Sequence, residues 1–136
     1  MRFSICILLL SLGFVACEKT TAVSPDTLTG IWVEQTGRQD TLIFNLDRSG
    51  RPLPNSLLVN RGREVNSAGS LVPKLGSGYY GYELKDKSIL VISLFSSSTQ
   101  RSAYKIERKG NQLLVENFFE LGFNQSATAT RTLVRL

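Results

Sequence analysis

"GIWVEQTGRQDTLIFNL", residues 30–46, decides how this chain is read. Two runs rich in β-branched and aromatic residues flank Gly37-Arg38-Gln39-Asp40, where the glycine is free to take the positive φ that a hairpin turn needs. In the second run Leu42, Phe44 and Leu46 fall on one face, and Thr41, Ile43 and Asn45 on the other. Successive side chains of a strand point to opposite faces, so this alternation is that of a strand with one face on a core.

The same pattern continues outward. After the turn "DRSGRP", "NSLLVNR" reads as a third strand. Residues 61–78 are rich in Gly, Ser and Pro and are expected to form a long loop, with a short strand around Val72. "YYGYEL" places Tyr80, Tyr82 and Leu84 on one side, and "KDKS" turns the chain into "ILVISLF", the most apolar run. Both faces of that run are apolar, and Leu90 and Ile92 are assigned inward. "SAYKIER" puts Tyr104 with Ile106, "KGN" turns, and "QLLVENFF" aims Leu113 and Val115 inward. The loop "ELGFNQSA" leads to a last strand, "TATRTLVRL". About eight strands joined by short turns, with no amphipathic helix, predict an all-β antiparallel up-and-down β-barrel. Closure would leave no strand edge exposed, and it requires the first strand near Trp32 to pair with the last near Val134.

Upstream of this domain the composition changes twice. Arg2 precedes an apolar run from Phe3 to Val15, the length of a secretory h-region and shorter than the roughly 20 residues that span a bilayer. The run ends at Phe14-Val15-Ala16-Cys17, which resembles the lipobox of bacterial lipoprotein signals. That resemblance implies removal of residues 1–16, lipid attachment at Cys17, and anchoring in a membrane. Glu18, in place of the aspartate that retains some lipoproteins at the inner membrane, makes the outer membrane the expected address. Residues 17–29 are polar and read as a flexible tether, the alternative being a helical turn started by Ser24-Pro25-Asp26. Residues 30–136 are the expected barrel domain.

Composition removes several chemistries. The chain has no histidine, which excludes a Ser-His-Asp triad and the commonest transition-metal ligand. Cys6 would leave with the signal and Cys17 would be acylated, so neither a disulfide nor a Cys/His zinc site is expected. The carboxylates are scattered through turns and polar faces, the pattern of a solvated surface, and neither a catalytic residue, a metal nor a cofactor is expected. A net charge of +5, spread along the chain, reads as a soluble surface, the alternative being a site for an anionic partner such as a membrane surface or acidic glycan, and an envelope address argues against nucleic acid as partner.

"LTGIWVEQ" with its Gly30-x-Trp32, "DTLIFNLDRSGR" and "YYGYELKDKSILVIS" together resemble the lipocalin-like domains of small bacterial lipoproteins, over about Leu28 to Leu136. The resemblance implies that Trp32 closes one end of the barrel and that a basic residue from the end of the chain, Arg131 or Arg135, packs across it. It also implies a ligand class: a small apolar or amphipathic molecule held by Tyr80, Tyr82, Tyr104, Phe118 and Phe123. Two functional readings follow. One is a binding module for such a ligand; the other is a structural or interaction protein that docks on, or inhibits, an envelope protein partner. The interior of the barrel separates them, since an aromatic-lined void supports a ligand and a filled lumen supports a partner.

Overall fold

The computed structural model describes residues 20–94, 101–116, 119–120, 126 and 129–136. The chain enters as a short strand, β1 (Thr20–Thr21), and a single helical turn, α1 (Pro25–Leu28). Eight strands then form the barrel, β2 (Gly30–Glu34), β3 (Thr41–Leu46) and β4 (Pro52–Asn60) first, followed after a side hairpin, β5 (Arg63–Val65) with β6 (Leu71–Pro73), by β7 (Gly78–Lys85), β8 (Ser88–Ser93), β9 (Ser102–Lys109), β10 (Gln112–Glu116) and β11 (Thr130–Arg135). Each barrel strand pairs antiparallel with the next in sequence, and β11 returns to β2 through Val134 opposite Val33 and Arg135 opposite Trp32. The chain is therefore a closed, up-and-down, eight-stranded antiparallel β-barrel.

The barrel has two unlike ends. The turns at 47–51, 86–87 and 110–111, together with α1 and the C-terminus, lie at one end, here called the α1 end. The connections at 35–40 and 61–77 lie at the other, the long-loop end, with Leu94, Arg101, Phe119 and Glu120. The 61–77 connection is an extra hairpin rather than a loop with one short strand, because Val65 pairs with Leu71 around the Asn66–Gly69 turn.

Side chains fill the lumen. Trp32, Leu42, Phe44, Leu57, Val59, Ile89, Val91, Leu113, Val115 and Leu133 are buried in one cluster with Tyr80, Tyr82, Tyr104 and Ile106, and Leu84 packs against it. In β8 the inward residues are Ile89 and Val91, whereas Leu90 and Ile92 are half-buried on the outer wall. Hydrophobicity did not decide this strand because both faces are apolar. Its neighbours did: Tyr82 lies opposite Val91 and Tyr104 opposite Ile89, and directly opposed residues share a face.

Alternation also breaks in β3. Asn45 is buried, not on the outer face, and Leu46 is only half-buried. The pairing shifts from Phe44 opposite Leu57 to Leu46 opposite Pro52, so a bulge of β4 residues faces one residue of β3. Asn45 at φ 58° and Asn55 at φ 57° take the left-handed backbone this bulge requires.

The expected flexible tether is shorter than residues 17–29. Thr20 and Thr21 pair with Lys109 and Arg108 of β9, alongside the segment of β9 that lies beyond its pairing with β8. Ser24 then caps α1 in a capping box with Thr27, Pro25 supplies the fixed φ of the first helical position, and Leu28 is fully buried. Burying Leu28 and half-burying Val23 against the core holds this segment on the barrel, which a polar composition alone does not reveal.

Candidate functional site

The α1 end is closed around Trp32. Its ring is fully buried, and its Nε1 donates to the Leu28 carbonyl at 2.7 Å, which ties α1 across the barrel mouth. Arg135 lies over the indole at 5.7 Å and Arg108 at 5.9 Å, each contact contributing about 0.5–2 kcal/mol. Both guanidiniums also donate to the helix end, Arg108 to Thr27 O and Arg135 to Thr29 O. Gly30 makes this possible: its φ is +131°, and a Cβ there would meet the Arg135 guanidinium at 3.2 Å. Of the two candidates for the contact with Trp32, Arg135 makes it. Arg131 does not, because four residues along β11 separate them and place Arg131 at the long-loop end.

Asn45 joins three elements at the α1 end. Its Nδ2 donates to Pro25 O at 3.0 Å and to Thr29 Oγ1 at 2.8 Å. Its Oδ1 accepts from Asn55 N at 2.9 Å and from the Tyr82 hydroxyl at 3.0 Å. The helix, the β4 bulge and the lumen are thus fastened through one amide. Sequence reading placed Asn45 outside by parity. The local signal for it is an Asn within a strand, next to a turn-rich segment, where left-handed backbone is tolerated.

The long-loop end is closed by charge. Arg61 reaches over the Phe119 ring at 5.7 Å, bonds Asp40 Oδ1 at 3.2 Å, and donates to the carbonyls of Leu75 and Phe119 at 2.8 and 3.1 Å. Arg131 pairs with Glu34 at 3.0 Å and with Glu120. The hydrogen bond to Glu120 pushes the Arg131 guanidinium above its already high ordinary pKa. Gly76 sits against this plug at φ +81°, where a Cβ would come within 2.0 Å of Phe119 O. A polar cavity of about 280 Å³ opens among Thr36, Gln39 and these ion pairs. Each of its carboxylates, Glu34, Asp40 and Glu120, faces a guanidinium, an arrangement that binds loops to one another.

The tyrosines expected to hold a ligand are core residues. Tyr80, Tyr82 and Tyr104 are each less than 7 % exposed. Tyr80 donates to Gly76 O at 2.9 Å, Tyr82 to Asn45, and Phe44 meets the Tyr82 ring edge-on at 5.4 Å. Burial pushes all three hydroxyls above the ordinary tyrosine value. Packed in this way, they face the core. Phe118, Phe123 and Cys17 lie outside the described residues.

A wider groove, about 710 Å³, runs along the outer wall between the N-terminal segment and β9–β11, lined by Thr21, Val23, Lys87, Lys105 and Leu114 among others. Among the described residues no three His, Cys, Asp or Glu side chains group as a metal site, and no helix is long and apolar enough to cross a membrane. Arg61, Arg108 and Asn45 position the two ends and were not singled out from sequence, since each acts through a partner distant along the chain. Comparison with known proteins found no matching family model, no matching curated protein and no matching solved structure.

Proposed function

We propose that this chain is a lipid-anchored lipoprotein of the cell envelope, held at the outer membrane through Cys17, whose lipocalin-like barrel serves as a rigid support for an envelope protein partner rather than as a small-molecule carrier. The observation that carries this reading is the packed lumen. The inward tyrosines and phenylalanine make contacts with one another and with backbone carbonyls, and each end has its own closure, Trp32 with Arg135 and Arg108 at one, Arg61 with Phe119 at the other. An eight-stranded barrel is just narrow enough to be filled in this way. The lipocalin-like part of the reading is supported by Gly30-x-Trp32 with an arginine of the last strand across the indole. The 35–40 turn and the 61–77 hairpin, at the end away from α1, supply surface for a partner.

A small-molecule reading keeps one specific support, the outer-wall groove. It is large enough for a drug-sized molecule. The two readings separate by native mass spectrometry of protein purified from its own membranes. The scaffold reading expects the mass of the processed, acylated chain alone; a retained apolar molecule would overturn it. The anchor is tested by Cys17→Ser and cell fractionation. Release from the membrane pellet is expected, and retention would refute lipidation at Cys17.

A further inference from the structure

The positive charge of the chain is not evenly placed on the barrel. At the α1 end, the β3–β4 turn carries Arg48 and Arg51 against Asp47, and the β7–β8 turn carries Lys85 and Lys87 against Asp86. The last residues of β9 add Arg108 and Lys109, β11 adds Arg135, and α1 supplies Asp26. Glu107, paired with Lys109 at 3.7 Å, is the fourth carboxylate there, so seven cations face four carboxylates, in a chain whose whole net charge is +5. Lys85, Lys87, Arg51 and Arg135 are exposed. At the opposite end the innermost arginines, Arg61 and Arg131, are neutralised by Asp40, Glu34 and Glu120.

The same end is where the chain comes in. Thr20 is pinned beside Lys109. Only three residue steps separate Thr20 from Cys17, at most about 11 Å of chain. Had the tether run free to residue 29, the barrel could have turned and drifted by tens of ångströms. With β1 paired, a lipid on Cys17 holds the α1 end close to the headgroups, within about one to two Debye lengths at physiological salt. A Lys or Arg that comes within a Debye length of an anionic surface strengthens attachment by up to roughly fivefold, and the gain decays beyond that distance.

We propose that the α1 end is an electrostatic membrane face, which lies against a bilayer containing anionic phospholipid and points the long loops away from it. The proposal rests on the anchor reading for its distance and on the charge placement for its partner. Its chemistry is that of cationic side chains ringing a closed barrel end. The headgroup phosphates meet Lys85, Lys87 and Lys109, and the barrel is oriented by these contacts rather than by insertion.

The test uses the full acylated protein reconstituted in phosphatidylcholine vesicles, with or without about one-third phosphatidylglycerol, and a membrane-impermeant amine reagent read by peptide mass spectrometry. Lys85, Lys87 and Lys109 are expected to react at least about threefold more slowly on the anionic vesicles, with the protection lost at high salt. Lys74, at the long-loop end, is expected to react equally on both. Equal rates on the two membranes for the three α1-end lysines, or a slowing of Lys74 that matches theirs, would overturn the proposal. The double variant Lys85→Gln with Lys87→Gln is expected to reduce the protection of Lys109; full protection in that variant would also count against it. An intact mass without acyl chains refutes the anchor reading separately. The electrostatic face is then decided by the same labelling with excess vesicles added to the chain, where unchanged lysine rates overturn it.

Discussion

Replacing Asn45 by Gly and by Ala separates what its side chain does from what its backbone does. Asn45→Gly keeps a residue at ease with φ 58° and deletes four hydrogen bonds. The buried Tyr82 hydroxyl and the part-buried Asn55 N–H lose their acceptor, and a buried polar group left without a partner costs about 1–3 kcal/mol. The α1 and bulge groups lie nearer the surface and recover part of their loss from water. The expected destabilisation is therefore about 2–3 kcal/mol for Asn45→Gly. Asn45→Ala adds the left-handed backbone penalty of about 1–2 kcal/mol. Tyr82→Phe removes one of the four bonds, at about 1 kcal/mol, and in a double-mutant cycle with Asn45→Gly it is expected to couple by a similar amount. Equilibrium urea unfolding reads all four variants through the emission of Trp32, the single tryptophan. Unchanged slopes and shifted midpoints are expected. If Asn45→Gly falls within about 0.5 kcal/mol of the parent, the amide network does not hold the α1 end together. If Asn45→Ala is no less stable than Asn45→Gly, the bulge does not demand left-handed backbone.

Trp32→Ala is expected to cost about 3–5 kcal/mol, since the ring is fully buried and holds both α1 and two guanidiniums, and a loss below about 1 kcal/mol in thermal melts would refute its closing role. Gly76→Ala is expected to cost at least about 2 kcal/mol, because it combines positive φ with a Cβ lodged against Phe119 O; a melting temperature equal to the parent's would show that the long-loop end is not closed by this contact. Burial holds the folded-state hydroxyls of Tyr80, Tyr82 and Tyr104 above the ordinary tyrosine value of about 10, so the unfolded chain ionises first. Stability from these groups is complete below about pH 10 and falls as pH rises through the folded-state values. Absorbance titration should show these tyrosines ionising in one steep step together with unfolding; gradual ionisation in a still-folded chain would contradict their burial.

Much of the architecture was legible in the sequence because it rests on local period. "TLIFNL" alternates cleanly, so Leu42 and Phe44 had to face a core, and strands joined by short turns had to pair with their neighbours. The Ser24-Pro25 start of a helical turn could also be read locally. What the sequence by itself did not determine depends on partners far along the chain. The inward face of "ILVISLF" was set by Tyr82 and Tyr104 across the sheet, because hydrophobicity favoured neither face. The choice of Arg135 over Arg131 at Trp32 came from the register of β11 against β2, in which Arg135 lies opposite Trp32 and Arg131 reaches the opposite end. The tyrosines became core because closure brought them together from β7 and β9, and the tether was shortened because β9 offered Thr20 and Thr21 an unpaired edge. Local alternation specifies which residues want burial, while only closure of the barrel decides which of them meet and what is left to fill the lumen.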